Sequence, residues 1–474
     1  MPPTSLELRP TRDRPVVVVG GSASGFYAAH RLAAAGVPVR VYEAGEEVDP
    51  APRTLIVTDK FREQMGELAN RAIVNRIRSF ELIADGRRAS IGLDRPDLVI
   101  ERTAVVKVLA EQAREAGAEI VMRRRLVGLE PNPRPAGNDA GGAIRLTFEP
   151  ADRRRPPADP REVTADVVIG ADGAFSTVAR CAGWPPQPTV PLVQAIVKLP
   201  ADMPPDATRV WFVPDDTPFF YWLIPDRPGR GGLGIIGDDR PGGKNAGRAL
   251  EGFLERLGLE ALEVQAGKIP LYVEWIPVHR RVGRGDVYLV GDAAGQVKPS
   301  TVGGIVTGFR GAQGIVDALL HEGDRGPTDG PWGGGGSPGP GAGGGSGSRR
   351  GDSPGTSGLR RGAAPGAGRG GDGPPGHGRN SGRGGPDAGA TNGEIRALRR
   401  ELDLHMWIRR AMHDFDARDY GRLLALLSDS ARSQLGRFHR DETWRLMLNL
   451  LLRQPRLLSL GIRTLLRRGS FGGR

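Results

Sequence analysis

Two groups of residues in this chain have types and spacing suited to chemistry. The first is Gly20-x-Ser22-x-x-Gly25, with Ala23 and Ser24 inside it, in the stretch PVVVVGGSASGFYAAHRLAAAGVPVRVYEAG from Pro15 to Gly45. Gly20 permits a tight turn, Ser22 stands in the middle glycine slot and is small enough for the backbone to approach a pyrophosphate, and Gly25 lets a helix lie close on a strand. Glu43 follows roughly 20 residues on, where a carboxylate binds a ribose hydroxyl. The chemistry implied is dinucleotide binding, against the plainer alternative of a structural turn. The second group is TPFFYWLIPD, Thr217 to Asp226, in a chain only 5% aromatic. It reads either as a buried strand closed by a proline turn or as the wall of a pocket for a flat or long apolar ligand.

The elements that must position these residues follow from periodicity. Val16 to Val19 is a β-branched run suited to a parallel strand buried on both faces. Phe26, Ala29 and Leu32 fall at helical spacing, Gly36 ends that helix, and Val37 to Tyr42 is a second strand with Glu43 at its end. Two more strand–turn units follow. ADVVIGADGAFSTVAR, Ala165 to Arg180, carries Asp172-Gly173 and Ser176 after a buried apolar run; GDVYLVGDAAGQVKPSTVGGI, Gly285 to Ile305, carries Gly291-Asp292, Pro299 and Gly303-Gly304. Arg102 heads a helix, ERTAVVKVLAEQAREAG, that ends at Gly117. No second Gly-rich βαβ unit occurs, which argues against a separate nicotinamide domain. Period-two alternation puts Phe220, Trp222 and Ile224 on one strand face and Tyr221 on the other.

Length and composition bound the rest. The 474 residues allow two or three domains, and 71 Gly with 40 Pro mean that part of the chain is not globular. The net charge of +11 favours anionic partners. A single cysteine, Cys181, excludes an internal disulfide and a Cys-based zinc site, and it reads as a small buried residue. The N-terminus shows no signal-peptide pattern and no run reaches transmembrane length, so a cytoplasmic protein is expected, with attachment to a membrane surface left open. Four segments are expected: 12–190 plus 280–322 as a discontinuous cofactor domain, 191–279 as a substrate-binding sheet, 323–393 as a disordered Gly/Pro/Arg-rich insertion, and 394–474 as helices. GRGG at 368–371 and at 382–385 suggests RNA-binding tails, but Trp332 is the insertion's one aromatic, which argues against nucleic acid as a partner. From Trp444 onward there is no acid, and leucines alternate with arginines. That pattern fits helices packed on the body of the protein or a basic surface on anionic lipid.

The three strand–turn motifs, in this order, resemble the FAD-binding fold of the aromatic-hydroxylase type of flavoprotein, a superfamily that includes halogenases and geranylgeranyl reductases. The resemblance implies FAD, an α/β fold with a doubly wound parallel-sheet domain, a mostly antiparallel substrate sheet and a helical C-terminal region. It also implies that Asp292 accepts from a ribityl hydroxyl, that the helix near Gly303-Gly304 points its N–H groups at the flavin pyrimidine, and that Arg102 gives a basic contact to FAD. Aligned on Pro225, Thr217, Phe220, Trp222, Ile224 and Pro225 resemble the P-x-x-Y-x-W-x-F-P stretch of geranylgeranyl reductases, and F-x-W-x-I-P is also near the W-x-W-x-I-P of flavin halogenases. The tail RRELDLHMWIRRAMHDFDARDYGRLLALLSD with LMLNLLLRQPRLLSLGIRTLLRR, split at Pro455-Arg456, resembles the reductases, as does GDAAGQVKPSTVGGI. APRTLIVTD departs from those members that carry a Cys-Gly pair there, and Lys60 stands where a halogenase lysine is sought without matching surroundings. The implied reaction is reduction of carbon–carbon double bonds in a polyprenyl substrate, with Phe220, Trp222 and Ile224 along the prenyl channel. The electrons would come from an external donor such as NAD(P)H or ferredoxin. No residue stands out as proton donor; Tyr221 is a weak option on the wrong face. The alternatives are an FAD-dependent monooxygenase or halogenase, and an RNA-binding protein using the Arg/Gly-rich segment.

Overall fold

The computed structural model describes residues 10, 14–133, 142–150, 161–237, 243–324, 393–438 and 443–453. The expected disordered insertion lies, for 325–392, outside the described residues, as do Pro455-Arg456 and the rest of the Leu- and Arg-rich end from 454 on.

The first sheet has six strands, in the order His279–Val282, Gly285–Leu289, Val167–Gly170, Val16–Val19, Val39–Tyr42, Glu119–Val121. All neighbours run parallel except the His279–Val282 edge. Every side chain of Val16–Val19 is buried, as a strand covered on both faces requires. The helices Ala23–Ala34, Arg102–Glu115 and Ile305–Asp324 cover this sheet through one shared core. Tyr27 stacks on Phe309 with ring centroids 4.7 Å apart, a contact worth about 1 kcal/mol beyond its burial.

The second sheet has eight strands, in the order Ala261–Pro270, Thr189–Lys198, Arg230–Ile236, Tyr221–Arg227, Ala207–Trp211, Ile73–Ala84, Arg87–Glu101, Thr54–Val57. It is antiparallel except where Ala207–Trp211 runs parallel to Ile73–Ala84. Three of its strands come from residues 54–101, which the sequence reading assigned to the cofactor segment. The cause is the long hairpin Ile73–Ala84/Arg87–Glu101, whose free edge pairs with Ala207–Trp211. One face packs on the helix Ala246–Leu257, where Tyr221 stacks on Phe253 at 3.9 Å. The other face carries Trp222 and Ile224.

A small antiparallel sheet of Arg124–Pro131, Ile144–Pro150 and Arg161–Ala165 completes the strands. The helix Ile305–Asp324 runs just past the expected boundary at 322, and the next described helix begins at Gly393. Four helices follow: Gly393–Met412, Ala417–Leu426, Asp429–Arg437 and Thr443–Arg453. Asp416 and Asp419 cap Ala417–Leu426 reciprocally. Phe415, Tyr420, Leu424, Leu427 and Ala431 pack on Ala84 and Ala89 of the long hairpin. Cys181 is half-buried, not fully buried as expected, because it ends the one-and-a-half-turn helix Thr177–Cys181 at the edge of the core.

Candidate functional site

Gly20 turns the chain at φ 102°, and a Cβ there would sit 2.5 Å from the Ala171 carbonyl oxygen. A Cβ on Gly25 would sit 2.3 Å from the Gly20 carbonyl oxygen, so the helix reaches the strand only without side chains at both positions. Ser22 caps Ala23–Ala34 and accepts from the Gly25 amide at 3.2 Å, while Ala23 and Ser24 turn inward and are buried. The Glu43 carboxylate accepts from the Gly21 amide at 2.5 Å and the Gly45 amide at 2.7 Å, which holds it at the mouth of the glycine turn.

Asp172 is placed differently. Its carboxylate accepts from Ser176 Oγ at 2.5 Å and from the amides of Thr177 and Val178 at 2.7 and 3.2 Å. It therefore caps the helix Thr177–Cys181, and burial pushes its carboxyl above the ordinary range against those hydrogen bonds.

Asp292 lies in the short turn Gly291–Ala294, after the Gly285–Leu289 strand. Burial raises its carboxyl above the usual range, while Arg102 and Arg53 pull it down. Arg102 opens the helix Arg102–Glu115, whose N-terminal amides at Thr103 and Ala104 are taken by Glu101, and its own amide donates to the Arg53 carbonyl at 2.9 Å. The Arg53 guanidinium is pulled below its ordinary value by burial first and by Arg102 second, and its Nε is buried with no hydrogen-bond partner among the described residues. Two guanidinium groups around one carboxylate leave net positive charge. An unspent buried donor in such a place suits the anionic, oxygen-rich groups of FAD. Gly303 and Gly304 immediately precede the helix Ile305–Asp324, whose positive dipole end would suit an electron-rich ring.

Of these residues, Arg53, Gly303 and Gly304 line a cavity of about 440 Å3. One side is the loop Ser300 to Val306, with Arg53 and Thr54; the other is Phe219, Phe220, Trp222 and Ile224. TPFFYWLIPD is thus both things at once: a buried strand and a pocket wall. Alternation holds, since Tyr221 points away and its hydroxyl donates to Asp216 at 2.9 Å and lies 3.0 Å from the Ala249 carbonyl. Burial first and Asp216 next push that phenol well above its ordinary value, so Tyr221 is no proton donor to this cavity. Lys60 is not among the residues that line it.

Sequence reasoning missed several lining residues: Arg53, Gln194, Thr208, Arg409, Met412, Tyr420 and Leu446. The signal for Arg53 stood in APRTLIV as a lone cation before an apolar run. The C-terminal helices supply a roof. Arg409 lies over the Phe219 ring at 3.5 Å and Tyr420 stacks on Phe212 at 4.5 Å. That roof is clamped to the segment 298–310: Lys298 pairs with Glu401 at 3.3 Å, Ser300 Oγ meets His405 Nδ1 at 2.5 Å, and Arg310 bridges Glu394 and Glu401.

The family description "FAD binding domain" matches residues 13–323. Digeranylgeranylglycerophospholipid reductase 1 of Methanopyrus kandleri is 32% identical over 305 residues, covering 62% of this chain and 76% of that protein. Digeranylgeranylglycerophospholipid reductase 2 of Methanothermobacter thermautotrophicus is 30% identical over 305 residues, covering 61% and 73%. Among solved structures, a geranylgeranyl bacteriochlorophyll reductase-like protein from Thermoplasma acidophilum matches with a TM-score of 0.61 over 88% of this chain and 91% of that one, at 17% identity. A p-nitrophenol 4-monooxygenase from Pseudomonas putida matches with a TM-score of 0.50 over 65% and 80%, at 20% identity. With the parallel-sheet domain and these relatives together, the chain belongs to the geranylgeranyl reductase family of FAD-dependent oxidoreductases.

Proposed function

We propose that the protein reduces carbon–carbon double bonds of a polyprenyl lipid. The observation that carries this reading is the cavity itself: one wall is the flavin loop at Val302-Gly303-Gly304, and the facing wall is Phe220, Trp222 and Ile224. A prenyl chain offers apolar area and few polar handles, which is what such walls bind. Bound and reduced, FAD supplies hydride to one alkene carbon, and a proton completes the other. The residues of this chain bind and orient. Ser22, Glu43 and the Gly20 turn hold the dinucleotide, with Arg53, Arg102 and Asp292 around it. The aromatic wall sets the alkene over the loop, and the roof of Met412, Tyr420 and Leu446 keeps water out. The electrons come from an external donor such as NAD(P)H or ferredoxin.

Among the described residues no helix is long and apolar enough to cross a membrane. Access to a lipid substrate is instead offered by the helix Thr443–Arg453: Leu446 faces the cavity, while Trp444 and Leu448 on its opposite face are 60% and 49% exposed. We take this face, with Arg445 beside it, as peripheral contact with anionic lipid.

The test is anaerobic. The holoprotein is reduced chemically and mixed with geranylgeranyl glycerophospholipid. Flavin reoxidation with a gain of two hydrogens per double bond supports the reading. No reoxidation by prenyl lipids, with rapid reaction toward oxygen, moves the protein to the alternative flavin monooxygenase or halogenase chemistry.

A further inference from the structure

The cavity wall contains a polar group whose hydrogen bond is only half spent. Gln194, on the strand Thr189–Lys198, is 2% exposed and lines the cavity. The Trp222 indole Nε1 donates to its Oε1 at 3.2 Å. An indole N–H only donates, so this contact fixes which end of the amide is oxygen. The Nε2 end is left as a donor, buried, with no acceptor among the described residues. It lies against the backbone of Gly232, where a Cβ would come within 2.9 Å of Nε2. In the sheet register Trp222 lies across Gly234 from Gln194, Ile224 pairs with Gly232 and Leu192 with Ile236, and all four apolar side chains line the cavity with it. A buried amide N–H left unpaired in such surroundings is costly, and a ligand acceptor removes that cost.

We infer that Gln194 is a specificity-determining residue: its Nε2 donates to an oxygen carried by the substrate, so the site takes an oxygen-bearing prenyl compound (alcohol, ether or ester) in preference to a prenyl hydrocarbon of the same length. The inference rests on the prenyl reading above and adds a chemical class to it. A pocket built to donate to a ligand oxygen discriminates against the analogue that lacks it, because the buried donor is then stranded. Two other cavity groups with unspent capacity fit this role less well. Arg53 sits with Arg102 and Asp292 at the cofactor end, and the Thr208 hydroxyl is free to rotate, whereas the Gln194 amide is held by the indole.

The test is ligand binding to the oxidised holoprotein, read from the perturbed flavin spectrum. The probes are geranylgeraniol, its methyl ether, and the C20 tetraene in which methyl replaces the hydroxymethyl group. In the wild type the alcohol and the ether are expected to bind about ten-fold or more tightly than the hydrocarbon. Gln194→Met keeps length and apolar character, and is expected to bring all three probes to the affinity of the hydrocarbon. Trp222→Phe removes the indole but keeps the donor; it is expected to weaken all three and keep the oxygenated probes ahead. Equal binding of the three probes by the wild type overturns the inference while leaving the prenyl reading intact. Loss of discrimination in Trp222→Phe but not in Gln194→Met overturns it in favour of the indole. Binding of none of them overturns the prenyl reading and this inference with it.

Discussion

The Trp222 ring lies across the α-carbon of Gly234: a Cβ built on Gly234 would sit 2.2 Å from Trp222 Cζ2. The two residues are register partners on neighbouring antiparallel strands. The missing side chain on one strand is the space the indole of the other occupies. Gly234→Ala is therefore expected to push the indole off its seat, at a cost of about 1–3 kcal/mol. Thermal melts should show the loss, and prenyl-lipid reduction should fall with FAD content unchanged. An alanine variant with wild-type stability and turnover would show that the seat does not matter.

Val302 is a β-branched residue held at φ 56° in the loop before the helix Ile305–Asp324, where it packs against the cluster containing Trp222 and Ile224. Left-handed backbone costs a side-chain-bearing residue roughly 1–2 kcal/mol. Val302→Gly relieves that strain, whereas Val302→Ala keeps it and also loses apolar contact. The glycine variant is thus expected to be more stable than the alanine variant, the reverse of the usual order within regular structure. Denaturant midpoints of the two proteins check this, and equal midpoints would mean the strain is absent.

Asp292 carries a linkage consequence. Its folded-state carboxyl is raised above the ordinary value, by burial first. A raised carboxyl favours the folded state fully only below its unfolded value, about 3.9, and that advantage is lost as pH climbs through the folded value. Asp292→Asn is therefore expected to melt higher than wild type at neutral pH in the FAD-free protein, with the gap closing under acid conditions. The same change should weaken FAD retention. A variant that holds FAD like the wild type would remove Asp292 from the cofactor site.

Arg310 sits between Glu394 at 2.5 Å and Glu401, with its side chain 14% exposed. Removing it leaves Glu401 with Lys298 as its remaining partner and Glu394 to solvent, at a cost of about 1–3 kcal/mol. Arg310→Met is expected to lose about that much stability and to speed amide exchange across Gly393–Met412. The parallel sheet should keep its protection. Uniform exchange across the protein would mean that the roof is not held locally.

How much was legible in the sequence follows from which interactions are local. Small residues at fixed spacing after a β-branched run dictate a strand, a tight turn and a helix, because no other backbone path accommodates them. The cofactor fold, its FAD and the alternating face of Phe220, Trp222 and Ile224 could be read that way. Asp172 could not be assigned by the same logic: the motif shows an acid after a strand, but whether its oxygens face a ligand or the next helix depends on the turn geometry that brings Ser176 and Thr177 onto it.

The sequence by itself determined the family of the chain, its parallel-sheet cofactor domain and the apolar character of one strand. These depend on patterns within a few tens of residues. Only the tertiary structure decided that Arg53, Gln194, Trp222, Val302 and Tyr420 share one cavity, and that the C-terminal helices roof it. These residues come from a strand entry, two inner strands, a loop and a late helix. Their meeting is set by sheet order, by the seat that Gly234 leaves for Trp222, and by the Arg310–Glu401–Lys298 cluster that holds the roof on the segment 298–310. Contacts of that kind join distant parts of the chain, so no local pattern announces them.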